Sequence, residues 1–309
     1  MGMITPSCSL TFGSKRLAHP FLFLSLVSVY GSFSCGAKQT GSDVHIVNGV
    51  AVELDNPISK TTVALISYQT TSAGTSSSIC SGSLISPYHI LTAAHCVENY
   101  SKDVAPVVVF STATNQKLTK EDVRFAYSWR AHPEYREDLM DKLFTKTPVN
   151  DIAVIMLNAA APEEYLEARL MGPSDPLEAK ETLVVAGFGV TGHTKDDEAS
   201  SGTLRYAGSR LIGEIPTQFE IVNGQAKGQT CGGDSGGPNF VIRESDDGSK
   251  HLALAAVTSR GDVNCTSNGV STDIRYFRDW ITSTSEALMN DAISASKAAS
   301  KTASKTASK

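Results

Sequence analysis

The sequence predicts an all-β fold, a sandwich or barrel of short strands, from about residue 44 to 272. Two observations carry the prediction. Runs rich in β-branched and aromatic residues recur as TVALISY (62 to 68), VVVF (107 to 110), IAVIML (152 to 157), LVVAGFGV (183 to 190) and LALAAVTS (252 to 259). Between them lie clusters of Gly, Ser, Asn, Asp and Pro, the residues that turns require, and no helical stretches that would build βαβ units. At 309 residues, 41% hydrophobic and 19% charged, the chain has ordinary globular composition and length for about two domain-sized units. That excludes a wholly disordered chain, a collagen and a multispan membrane protein. No glycine-rich phosphate loop or zinc-type Cys/His spacing interrupts the strands, so neither metal nor organic cofactor is expected.

The ends differ from the middle. Residues 1 to 35 read as an export signal: Lys15 and Arg16 supply positive charge ahead of the apolar run FLFLSLVSVY (21 to 30). The run is about half the roughly 20 residues a membrane-spanning helix needs. A buried core helix would leave the basic flank and the terminal position unexplained. Cys35, followed by Gly36 and a polar tether, resembles the start of a bacterial lipoprotein. Ser34 fits that pattern, whereas Ser32 and Phe33 stand where an aliphatic and a small residue are usual. Of the six cysteines, Cys8 leaves with the signal and Cys80, Cys96, Cys231 and Cys265 can form two bridges. Lipidation of Cys35, tethering the chain to a membrane, would account for the one left over; ordinary cleavage nearby stays equally open. The chain is expected outside the cytoplasm, whether secreted, periplasmic or anchored to the cell envelope.

At the other end, Ile274, Phe277, Ile281 and Leu288 recur at helical spacing with Asp273 placed as N-cap, which predicts one closing helix over 273 to 290. Residues 291 to 309 end in a near-tetrapeptide repeat of Ala, Ser or Thr and Lys with nothing apolar to bury, which predicts a disordered tail. It is either a plain solvated terminus or one drawn to anionic cell-wall polymer or a membrane surface. The net charge is −5, and four lysines without any acid fall in the last sixteen residues, so the chain ahead of them stands four units lower, at −9. Nucleic acid is therefore not an expected partner.

Three segments carry chemistry together: TAAHC (92 to 96), NDIAVIML (150 to 157) and GQTCGGDSGGP (228 to 238). Singly, a His before a Cys, an Asp opening a strand and a Ser in a glycine turn are ordinary structural features. In this order, with IVNG at 46, VAGFG at 185, and SRGDVNC and NGVST further on, the sequence resembles the chymotrypsin/trypsin family of serine endopeptidases over about residues 46 to 282. With its lipoprotein-like start it reads as an exported bacterial member.

The resemblance implies two six-stranded antiparallel Greek-key β-barrels, about 46 to 165 and 175 to 272, within a protease domain of 46 to 290 and with the site in the cleft between them. It implies Ser235 as nucleophile, His95 as general base and then acid, and Asp151 as the group that fixes the imidazole tautomer. The amides of Gly233 and Ser235 would form the oxyanion hole, and Ser259 would support Asp151. Bridges Cys80 to Cys96 and Cys231 to Cys265 are implied as well. Residues 36 to 45 would be a short propeptide, and cleavage before Ile46 would free an amine to pair with Asp234, leaving the precursor nearly silent. His45 stands where trypsin-activated precursors have Lys or Arg, so trypsin is not the expected activator.

Aligned with the family, Gln229 falls at the base of the primary specificity pocket, Gly261 and Gly269 on its walls, Thr230 and Ser271 nearby, and Arg260 where an aromatic residue is usual. No acidic residue stands at the base, so cleavage after a neutral side chain of a protein or peptide substrate is expected. His132 is read as a surface residue and the molecule as a monomer. The rival reading is a catalytically inactive binding or adhesion module on the same fold, but such modules usually lose His or Ser and this chain keeps both.

Overall fold

The computed structural model describes residue 46 and residues 49 to 307, apart from 72, 73, 99, 101 to 104, 179, 193 to 199, 215 to 219 and 225 to 227. The export segment, Cys35 and the stretch 36 to 45 lie outside the described residues.

The architecture is two barrels with one strand order repeated. The first is built from β2 (Thr62–Thr71), β3 (Gly74–Ser86), β4 (His89–Thr92), β5 (Val107–Val109), β6 (Val123–Ala131) and β7 (Ala153–Leu157), closed in the order β2-β3-β4-β7-β6-β5. The second uses β9 (Thr182–Gly187), β10 (Arg205–Glu214), β11 (Glu220–Gly224), β12 (Pro238–Glu244), β13 (Lys250–Gly261) and β14 (Gly269–Asp273). Its order, β9-β10-β11-β14-β13-β12, closes through pairings of β9 with both β10 and β12. The pairs around both rings are antiparallel. Two short strands sit outside the rings: β1 (Val50–Ala51) pairs with β10, and β8 (Arg169–Leu170) runs parallel to β13. The expectation that the chain from residue 46 onward opens the first barrel is thus corrected, because its first strand joins the second. Val50↔Tyr206 and Ala51↔Arg205 are its partners, and Ile46 is fully buried against Leu183, Val185, Ala207 and Val241 of the second core.

Strand β7 explains why IAVIML is an uninterrupted apolar run. Ala153, Ile155 and Leu157 point into the first barrel with Val63, Leu65 and Ile90, while the alternate residues Val154 and Met156 face the layer containing Phe188, Phe240, Ile281 and Leu288. With both faces covered, the period-two alternation of a half-buried strand disappears. Closure also removes the unpaired strand edges an open sheet would expose.

Asp273 caps the next turn, its side chain accepting from the Arg275 N–H, and a 3-10 turn at Ile274–Phe277 leads into α2 (Arg278–Ala307), which follows α1 (Pro57–Thr61) in the chain. Ile274, Phe277, Ile281 and Leu288 are all buried. The helix does not stop near 290 but continues to Ala307, through the stretch read from the sequence as a disordered tail. Nothing in that stretch ends a helix: it holds neither Gly nor Pro, and Ala and Lys are good helix formers. Among the described residues no helix is long and apolar enough to cross a membrane.

Candidate active site

Asp151 and His95 come from the first barrel. The Asp arrives through a left-handed turn: Asn150 takes φ 53°, which Asn tolerates better than most residues, and its amide donates to the Glu134 carbonyl at 3.0 Å. Asp151 is then completely buried at the entry to β7. His95 follows β4 in a tight turn whose backbone N–H donates to Asp151 Oδ1 at 3.0 Å, while the ring Nδ1 lies 2.8 Å from Oδ2. The second barrel completes the carboxylate's shell, with the Ser259 hydroxyl donating to Oδ2 at 2.6 Å and Thr272 donating to the Asp151 carbonyl at 2.9 Å.

These contacts set the titration of the pair. Burial alone would lower the His95 pKa, but the charge of Asp151 and its hydrogen bond outweigh burial, and the net direction is up. Glu98 adds to that rise and Arg260 opposes it. For Asp151, burial pushes the pKa up, while His95 and Ser259 pull it below the ordinary carboxylate value.

Ser235 comes from the second barrel, on the turn before β12. Gly233 takes φ +95°, and a Cβ there would sit 2.8 Å from Gly189 Cα and 2.9 Å from Ile79 Cγ2, so only glycine fits. Ser81 pins the turn across the barrel interface: its hydroxyl donates to the Gly233 carbonyl at 2.9 Å and accepts from the Phe188 N–H at 3.0 Å, and its N–H donates to the Ser235 carbonyl at 2.7 Å. Ser235 and His95 line one cleft of about 410 Å³ with Ile79 and Tyr100. No hydrogen bond links their side chains, and in such sites this bond often tightens only when substrate docks.

Ser235 also lines a second hollow of about 400 Å³, walled by Thr230, Ser259, Arg260 and Gly261. Gln229 and Gly269 lie behind this wall. Gln229 is 6% exposed, and in the amide orientation that satisfies both neighbours it donates to the Ser267 carbonyl at 2.6 Å and accepts from the Gly269 N–H at 3.0 Å. Its amide is thereby tied to backbone. Arg260 is turned aside: its Nε donates to the Lys142 carbonyl at 2.8 Å.

The two disulfides brace the parts, Cys80 to Cys96 beside His95 and Cys231 to Cys265 beside the serine turn. The nearest approach to a metal-ligand cluster among the described residues, Cys80, His95 and Cys96, includes that first disulfide and so has no thiolate to offer an ion. Asp234, expected to meet a freed Ile46 amine, is fully buried, with Oδ1 accepting from the Gly189 N–H at 2.8 Å and Oδ2 from the Cys231 N–H at 2.9 Å. His132 is not simply a surface residue: it packs edge-on against Phe277 and close to Trp280, beneath the start of the closing helix. Ser81 and Arg205 were not singled out by the sequence, since neither SGS nor TLRYA carries a motif.

A pair of barrels of one topology, with an Asp–His pair on one and a serine in a glycine turn on the other, defines the two-barrel class of serine hydrolase folds. Comparison with known proteins gives the family: the Trypsin family model matches residues 56–281, and the chain belongs to that family. It is 30% identical to chymotrypsin of Phaedon cochleariae, over 70% of this chain and 75% of that protein. It is 29% identical to coagulation factor XII of Cavia porcellus and 28% to transmembrane protease serine 11A of Homo sapiens, each over 66% of this chain. The chain spans only 36% and 49% of the length of those two relatives.

Proposed function

We propose that this chain is an exported serine endopeptidase that hydrolyses peptide bonds through an acyl-enzyme on Ser235. The observation that carries the reading is the hydrogen-bonded series Ser259, Asp151, His95, opening on the cleft that Ser235 lines. In the reaction, Ser235 Oγ attacks the scissile carbonyl as its proton passes to His95 Nε2. The imidazolium is stabilised by Asp151, and the carbonyl oxygen, now negative, takes the Gly233 and Ser235 N–H groups. Collapse of this intermediate breaks the C–N bond as His95 returns the proton to the leaving amine. A water deprotonated by the same imidazole then frees the acid and regenerates the hydroxyl. The chain keeps its whole mechanism in side chains and backbone amides.

The hollow beyond Ser235 accepts a neutral side chain of the substrate: Thr230 and Gly261 line it, Gln229 behind them is uncharged, and of its two charged lining residues Arg260 donates to the Lys142 carbonyl while the Asp262 carboxylate is taken up by the N–H groups of Asn264, Thr266 and Ser267. The molecule works as a monomer on protein or peptide substrates, and cleavage before Ile46 completes its activation. Its two bridges suit an oxidising compartment. The relatives just named are animal proteins, and the reading of a bacterial, lipid-tethered member rests on the Cys35 segment alone.

A fluorophosphonate probe tests the activity. Covalent labelling at Ser235 that disappears in Ser235→Ala is the expected result. A correctly processed chain that fails to label would instead be a binding module.

A further inference from the structure

Asp234 is a carboxylate with no solvent exposure immediately beside Gly233, and its two oxygens hold the amides of Gly189 and Cys231. Two neutral amides do not neutralise a buried charge. In the chain uncut before Ile46, the Ile46 nitrogen is a peptide amide and brings no charge either. Among the described residues, the charged group that bears on Asp234 is Arg205.

Strand pairing puts it there. Arg205 of β10 stands directly opposite Gly187 of β9, and residues directly opposite in an antiparallel pair send their side chains to the same face. On that face, a Cβ at Gly187 would lie 3.0 Å from Asp234 Cα and still closer to Oδ1. The glycine leaves the space that Asp234 fills, and Arg205 projects from the neighbouring strand on the same side. The residue is 6% exposed, and Nη1 donates to the carbonyls of Ser200 at 2.8 Å and Thr203 at 3.1 Å, so that Arg205 bears on Asp234 through space and not through a direct hydrogen bond. The buried Nε has no hydrogen-bond partner. A cation sunk this far with a donor unspent is costly unless a nearby anion compensates.

We propose that Arg205 is the resident counter-charge of Asp234, so that the chain uncut before Ile46 already holds the Gly233 turn in working shape and cleavage increases activity instead of creating it. The electrostatics agree in direction. Burial outweighs the two amides and Arg205, which act downward in that order, and leaves the Asp234 pKa raised to about 6. Burial likewise lowers the pKa of Arg205, and Asp234 opposes it. Arg205 is thus a positioning residue, acting on the oxyanion turn through Asp234. The inference rests on the hydrolase reading and revises its expectation of a silent precursor.

The test compares uncut and cut forms of the exported chain. His45→Arg places a trypsin site before Ile46; immobilised trypsin makes the cut and is then removed, and N-terminal sequencing certifies each form. Fluorophosphonate labelling and hydrolysis of a peptide ester are the readouts. The expected result is an uncut chain with at least about a tenth of the activity of the cut one. Arg205→Gln should lower the uncut form by about tenfold or more and the cut form by no more than about threefold, because the freed amine replaces the lost charge. Arg205→Lys should keep most of the uncut activity. An uncut chain that is silent while the cut one labels overturns the inference and leaves the hydrolase reading intact. So does Arg205→Gln lowering both forms equally, the mark of a merely structural role. Labelling of neither form sinks both readings. If Arg205→Gln does not fold, the comparison of uncut with cut chain and the lysine variant decide the matter without it.

Discussion

Asp151 accepts three hydrogen bonds on a side chain with no solvent exposure, and that decides how His95 titrates. With its pKa raised, the imidazole becomes the neutral base only above its ordinary value near 6.5. The acidic limb of kcat/KM for a peptide ester is therefore expected above pH 6.5. In Asp151→Asn, burial is left as the main influence, so the limb should move below 6.5 while kcat falls by about 10⁴. A pH–rate profile of the two proteins checks both. At this scale the sequence was generous where function writes short motifs, as around His95, Asp151 and Ser235. It was silent on Ser81, whose hydroxyl reaches a carbonyl 152 positions away, because a serine in a strand looks the same whatever it meets across a barrel interface.

Among the elements, the closing helix shows how local pattern and tertiary context divide the work. The spacing of Ile274, Phe277, Ile281 and Leu288 predicts a helical face, and these side chains are buried. The extent of the helix was not legible, because helix propensity in a Lys-, Ser- and Ala-rich stretch is a weak guide to where the last turn falls. Truncation separates the two parts. A chain ending after Ile293 removes turns that are exposed over residues 294 to 301 and should melt within about 2 °C of the full chain with unchanged esterase rate. A chain ending after Phe277 removes the buried Ile281 and Leu288, each worth about 2 to 5 kcal/mol, and should be largely unfolded at 37 °C. Thermal melts by circular dichroism distinguish the outcomes.

For the whole molecule, the repeat of strand runs and turn clusters revealed an all-β chain, and the motifs implied two barrels. The fastening of the ends was hidden, because two residues of strand at Val50–Ala51 leave no periodicity to read. Stability at this scale depends on the disulfides, which close loops of sequence separation 16 and 34. In the chain-entropy picture these contribute about 3 and about 4 kcal/mol, a large part of a typical domain's margin of about 5 to 15. Full reduction should therefore lower Tm by roughly 15 to 25 °C, measurable by calorimetry with and without dithiothreitol. The crossed ends also bear on how the protein is made. Residues that leave the ribosome early, Ile46 and β1, find their seats only on strands synthesised much later, and the last helix returns to cover β7 from the earlier half. The first barrel can close as soon as it emerges, but its leading segment must wait unseated until nearly the whole polypeptide has been translated. Docking of that segment is accordingly a late event in assembly.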